Sequence, residues 1–380
     1  MRKVFTAVNH FISPKEQTAD FVELFFDLVF VYAITQVTTI VAHDLDIKHA
    51  LQAALVFWMI WWAWTLFTAS LNAANTRIAE IRLIVLLSTG VAFVMASSTS
   101  EAFSDGVLWF AVPYIIIRVL GIGLYFAVTA SINQKKTASI VFGLISCIGF
   151  TFIIIGCSAD PSQRMWWWLG AMFVDLVAAG IGGRIEGWNL HPKHFTERHG
   201  LIVIIALGES LIVAASAISG QERSQELLIV GSLAVLVTCL LWWSYFAWIS
   251  EHLEQYFEQK TDDEKVRVGR DTFSIIHFPL IAGIIGMAVG FEKILGHPDE
   301  LLSMPVAIAL GGGYLFYMGF TGAAVWRASG MILIPRTILV SLAVLGVLLS
   351  VGQAQYLSLL IVSISLTMIS LVEWKKCRHL

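Results

Sequence analysis

The sequence predicts an all-α integral membrane bundle of about twelve transmembrane helices, in two tandem parallel six-helix repeats, residues 1–193 and 194–380. Three observations predict it. Of 380 residues, 57% are hydrophobic and only 13% charged, with a mean hydropathy of +0.78; a soluble domain carries roughly twice that charged fraction. Apolar runs long enough to cross a bilayer recur along the whole chain. The basic residues alternate in density from one connection to the next, as spans crossing in turn require.

Spans are expected near 20–42, 50–73, 82–100, 107–130, 138–157, 165–183, 200–219, 227–249, 272–291, 303–323, 333–351 and 355–373. With a cytoplasmic N-terminus, 19 of the 24 Lys and Arg residues fall in inside segments and 4 outside (Lys48, Arg164, Arg223, Lys293). Arg118 alone is left within a span. This bias predicts an even span count with both termini cytoplasmic. The first 20 residues lack a short apolar region and a small-residue cleavage site, so no removable leader is expected. Val4, Phe5, Val8, Phe11 and Ile12 form either a short interfacial helix before Pro14 or a loose tail. The one sizeable inside connection, Glu251–Asp271, reads as a helical extension of the eighth span.

The tandem repeat rests on three matches in the same order. Trp61-Trp62 recurs as Trp242-Trp243, Asp27 as Glu209, and Leu120–Phe126 as Leu310–Phe316, at offsets of 181, 182 and 190 residues. Six spans per half give both halves one orientation. The glycines of the third match permit either close helix packing or a local break lining a cavity. Pro113, Pro279 and Pro335 mark further kinks.

Ionisable residues inside spans are few, and they are the candidate functional residues, because a charge at membrane depth faces a partner or a water-filled path. Glu23 and Asp27 lie four residues apart, stacked on one helix face. Glu23 is shallow enough for interfacial water; Asp27 is one turn deeper. Arg118, Asp175 and Glu209 lie near mid-span, and His277 near a span end. Three acids, Asp27, Asp175 and Glu209, thus face one base; if they share a cavity, the surplus acid is protonated, bound to a cation or solvated. A static alternative pairs Arg118 with one acid. Glu197 suits the N-terminus of the seventh span, and Arg198 reads as a snorkelling anchor or as a gate pairing with Glu23 or Asp27. His191, His194 and His199 read as a solvated linker in preference to a metal site, because no paired ligand set accompanies them. Trp58, Trp61, Trp62 and Trp64 lie too deep for an interfacial belt, which leaves interhelical packing or the lining of a site.

Several chemistries find no support. No lysine lies mid-span for a Schiff base, and no HExxH, P-loop or dinucleotide fingerprint occurs. Cys147, Cys157, Cys239 and Cys377 show no paired spacing, so neither a disulfide nor a metal framework is expected. No cofactor and no nucleic-acid partner are expected; the partners are the lipid bilayer and a proton or small cation.

Two segments carry a family resemblance. Phe21–Gln36 resembles the first-helix signature of the bacterial low temperature requirement A family. Glu197-Arg198-His199-Gly200-Leu201-Ile202-Val203-Ile204-Ile205-Ala206-Leu207-Gly208-Glu209-Ser210 resembles its second signature. The resemblance implies a polytopic protein of the bacterial plasma membrane, and it draws attention to Glu23, Asp27, Glu197, Arg198, Gly208, Glu209 and Ser210. It implies no reaction. The function expected is a transporter or channel for a small solute or ion, proton-coupled through Asp27 and Glu209 with Arg118 and Asp175 tuning them. A membrane enzyme acting on a lipid-linked substrate through Glu23, Asp27, Glu197, Arg198 and His199, and a non-transporting envelope-adaptation protein, are the alternatives. The orientation is testable directly: a fluorescent protein fused after Leu380 is expected to fluoresce and a periplasm-dependent phosphatase at the same point to stay inactive; the reverse pattern refutes the even span count.

Overall fold

A backbone that enters lipid must satisfy its own N–H and C=O groups, and a helix does so within one segment. A computed structural model of the chain, described here for residues 12, 18–129, 136–182, 190–219 and 221–377, shows that outcome throughout. Helices α1 (Phe21–His43), α2 (Ile47–Ala73), α3 (Ala79–Ser97), α4 (Val107–Thr129), α5 (Lys136–Ser158) and α6 (Pro161–Gly182) follow one another. Then come α7 (Pro192–Ile218), α8 (Gln225–Phe246), the short α9 (Ile249–Glu258) and α10 (Asp262–Val268), and a π-helical turn at Gly269–Ile275. Helices α11 (His277–Gly296), α12 (Met304–Ser329), α13 (Ile334–Leu349) and α14 (Tyr356–Cys377) complete the chain. The interfacial segment expected at residues 4–12 lies outside the described residues, Ile12 apart.

Local chemistry sets the ends. At α1, Asp20 Oδ1 accepts from Val22 N while Glu23 Oε1 accepts from Asp20 N, each at 3.2 Å. This reciprocal capping box fixes where α1 begins. Ser224 caps α8 by accepting from Leu227 N at 3.0 Å, and a Thr261–Glu264 capping box starts α10. After α12, Gly330 adopts φ +77°, the left-handed position that glycine fills without strain.

Among the described residues, 11 helices are long and apolar enough to cross a bilayer. The span expected at 333–351 differs: α13 has 16 residues, about 24 Å at 1.5 Å per residue, short of a hydrocarbon core of about 30 Å. Its Ile338, Leu342, Leu345 and Leu349 are exposed at helical spacing and form a lipid-suited stripe. The seventh helix begins at Pro192 rather than near residue 200, which draws His194, Arg198 and His199 into the helix. The charged stretch after α8 begins, as expected, as its helical extension: Ala247 keeps helical dihedrals and the helix runs on through Glu258.

The helices group into two compact units interleaved in sequence. The first comprises the described residues up to Val37, Leu51–His199 and Phe257–Ser274; the second comprises Thr38–Ala50, Gly200–Tyr256 and Ile275–Leu380. In the first, α3, α4, α5 and α6 pack in sequence order. Every residue of α2 from Leu55 to Thr68 is buried, as a helix apolar on all sides requires. The central tryptophans therefore stand in the interior rather than in a belt.

In the second unit α11 and α12 approach most closely, and the reason is glycine. A Cβ on Gly313 would sit 2.6 Å from both Gly283 O and Met287 N, and one on Gly283 would sit 2.5 Å from Tyr317 N. Backbone packs on backbone there. Both Gly-rich segments lie in unbroken helices, and Gly121 and Gly313 serve close contact, not a break. Pro113 likewise lies inside α4 without ending it. Gly313→Ala is therefore expected to lower thermal stability in detergent by about 1–3 kcal/mol. Gly312→Ala, whose Cβ would meet nothing within 4 Å, should cost little; equal losses from both would contradict the contact.

Candidate functional site

Two helix faces with the same four-residue spacing meet in the first unit. Helix α1 presents Glu23 and Asp27; the first turns of α7 present His194 and Arg198. Arg198 spans the two acids: Nη1 donates to Glu23 Oε2, and Nη2 donates to Asp27 Oδ1 at 2.6 Å. His194 Nε2 lies 3.2 Å from Glu23 Oε1 and 3.1 Å from its Oε2. From α2, Trp64 Nε1 donates to Asp27 Oδ1 at 2.7 Å, and the guanidinium carbon of Arg198 lies 5.9 Å from the Trp64 ring centroid. Glu23, Asp27, His194 and Arg198 are all 0% exposed.

A surrounding layer holds these groups in place. Asn72 Oδ1 accepts from His191 N at 2.8 Å, and its Nδ2 lies 3.0 Å from His191 O and 3.1 Å from His194 Nδ1. Glu197 Oε2 accepts from Ala19 N at 3.1 Å, tying the entry of α1 to α7. Arg82 donates to Asp20 Oδ2 at 3.0 Å, anchoring the cap itself. The His199 ring stands edge-on to Trp64 at 5.0 Å and packs against Phe195 and Phe273. Trp61 Nε1 donates to Ser274 O at 2.7 Å, which fixes the end of the π-helical turn.

This arrangement corrects several expectations. Arg198 does not snorkel, because two carboxylates inside the unit pair with its Nη1 and Nη2. Glu23 does not meet interfacial water. His194 and His199 are not part of a solvated linker, since α7 begins early enough to bury both. Trp64 is more than packing. Nothing in the sequence pointed to Asn72 as a partner, and it did not show that His194 and Trp64 meet these acids. The one legible signal was the shared spacing: His194 and Arg198 repeat the interval of Glu23 and Asp27.

The remaining candidates sort differently. Arg118 on α4 grips Asp175 on α6 with two parallel bonds of 3.0 and 2.8 Å and donates to Tyr114 OH at 2.6 Å. Phe150 covers it at 5.5 Å. This is the static buried pair, with matched charge. Glu209 and Ser210 lie in the second unit, both buried. Ser210 Oγ returns its proton to Leu207 O at 2.7 Å, while Glu209 Oε1 has no hydrogen-bond partner.

Two further buried cations were not foreseen. Arg164, placed by sequence in an outside connection, is buried and donates to the carbonyls of Gly156, Ala102 and Ser104. Arg336 pairs with Glu373 through Nε and Nη2 at 2.8 and 2.7 Å, and Trp248 donates to the same carboxylate at 2.9 Å.

Beside the cluster lies a cavity of about 80 Å³, room for several waters. Thr65 and Phe195, the neighbours in sequence of Trp64 and His194, line it with Trp62, Leu66, Arg270 and Ser274. Among the described residues no three His, Cys, Asp or Glu side chains are grouped to hold a metal ion. Two carboxylates around one guanidinium, fully desolvated, form instead a charge-poised centre.

Comparison with known proteins gives a family but no reaction. The family described as bacterial low temperature requirement A protein (LtrA) matches residues 18–371. An uncharacterized protein of Rhizobium meliloti is 30% identical over 314 residues, 79% of this chain and 76% of that protein. No solved structure matches.

Arg198 is expected to be the costliest polar residue to remove from the first unit. Arg198→Ala leaves two buried carboxylates without their cation, a loss of about 3–5 kcal/mol. Trp64→Phe removes one donor from Asp27 and should cost about 1–3 kcal/mol. Thermal unfolding of the purified variants checks both; an Arg198→Ala protein as stable as wild type would contradict the geometry.

Proposed function

The chain belongs to the bacterial low temperature requirement A family, and from that premise we propose that this multi-pass membrane protein is a transporter or channel for a small solute or ion, coupled to protons through buried carboxylates. The observation that carries the reading is the Glu23–Asp27–Arg198 centre. One guanidinium compensates one carboxylate, so the second acid needs a proton or a cation whenever the site is dry. A group that must gain or lose a positive charge to stay buried is what proton or cation movement uses.

In this reading Asp27 is the coupling acid and Glu23 its fixed neighbour. Arg198 holds both, and Glu197 fastens the α1–α7 junction. Glu209, buried with an unpartnered oxygen, is the corresponding acid of the second half, and Ser210 supports its helix. The tandem halves 1–193 and 194–380 belong to the same proposal. Arg118 and Asp175 serve as a fixed neutral pair. Both termini face the cytoplasm, and the membrane is the bacterial plasma membrane. The lipid-enzyme alternative ranks second on one observation: a hydrolytic or transfer centre needs an acid or base open to substrate, whereas Glu23, Asp27, Arg198 and His199 are buried.

Purified protein in liposomes under an imposed pH gradient tests this. The wild type is expected to dissipate the gradient, and Asp27→Asn to reduce the flux at least tenfold with folding intact; Glu209→Gln should also lower it. No wild-type flux across imposed voltages and cations would overturn proton or cation movement.

A further inference from the structure

We infer that the α1–α7 centre stores one exchangeable proton on Oδ2 of Asp27, while His194 stays neutral with its own proton on Nε2. The inference deepens the reading above, but it does not require that anything be transported.

Asn72 settles the state of His194. The backbone N–H of His191 can only donate, so the Asn72 atom 2.8 Å from it is the carbonyl oxygen. The backbone C=O of His191 can only accept, so the Asn72 atom 3.0 Å from it is the amide nitrogen. These two backbone groups fix the amide orientation. The second hydrogen of that nitrogen then faces His194 Nδ1 at 3.1 Å, and Nδ1 must supply a lone pair. The imidazole proton therefore sits on Nε2, directed at Glu23.

Counting donors at each acid gives opposite answers. Glu23 receives Arg198 Nη1, His194 Nε2–H and the Asp20 N–H, spread over both oxygens. That pattern suits a carboxylate. Asp27 receives Trp64 Nε1 and Arg198 Nη2, both on Oδ1. Its Oδ2 is buried and has no partner. Two donors on one oxygen and none on the other suit a carboxylic acid, whose C=O accepts while the second oxygen carries hydrogen.

The charge sum agrees. Glu23 and Arg198 cancel, and His194 contributes nothing. Trp64 from α2 brings no charge, and His199 stands edge-on to Trp64 with Nδ1 2.8 Å from Phe195 O. An ionised Asp27 would leave one net negative charge in a site of 0% exposure, and a single proton removes it. Release of that proton leaves a carboxylate, which a monovalent cation in its place would balance.

Infrared spectroscopy of the full-length protein in liposomes at neutral pH tests the assignment without any flux measurement. The wild type is expected to show a protonated-carboxyl C=O stretch that loses one group's intensity in Asp27→Asn and shifts in Asp27→Glu. Glu23→Gln should abolish the same band although Asp27 is still present, because Arg198 is then balanced by an ionised Asp27. A wild-type spectrum identical to that of Asp27→Asn in this region, or a band that survives Glu23→Gln at full intensity, would overturn the inference. A band that behaves as expected in a protein with no proton flux would retain the stored proton and reject proton coupling.

Discussion

One guanidinium shared by two buried carboxylates sets the terms for the first unit. Arg198 cannot reach water, so the helices that carry its partners must stay together. The capping box at Asp20 positions Glu23, the early start of α7 positions His194 and Arg198, and Asn72 on α2 holds His194 through the backbone of His191. Loss of any of these contacts would leave a charge or a polar atom stranded where nothing else can solvate it. The site is therefore also a structural junction.

The other buried ion pairs show by contrast what is unusual there. Arg118 with Asp175, and Arg336 with Glu373, each match one cation to one anion. Both are braced by an aromatic donor or acceptor, Tyr114 in the first pair and Trp248 in the second. Such pairs are charge-matched, and they read as parts of the scaffold. Among the described residues, only the α1–α7 centre gathers more acid than base around one cation. An excess of acid over base, rather than the presence of charge, sets it apart from those two pairs.

How much of this was legible depends on the range of the interactions. The helices, their order and the close approach of glycine-rich segments follow from composition and from runs of neighbouring residues. The four-residue spacing of Glu23 and Asp27 was visible, and so was the option that Arg198 pairs with them. The partnership of Arg118 with Asp175 was open among three acids. The burial of His194 was not visible, because it depends on α7 beginning at Pro192 in a stretch polar enough to read as a linker.

The sequence by itself determined an all-helical membrane chain, since long apolar runs in lipid leave the backbone one economical way to bond to itself. It also marked Asp27, Arg118, Asp175 and Glu209 as ionisable residues at depth, though not His194, Arg164 or Arg336. Tertiary structure alone decided which acid meets which base. Pairs such as Glu23 with Arg198 lie 175 residues apart, and no local pattern specifies such a distant contact. Tertiary structure also decided that Asp27 has one oxygen saturated and the other bare, because three helices must converge before that difference exists.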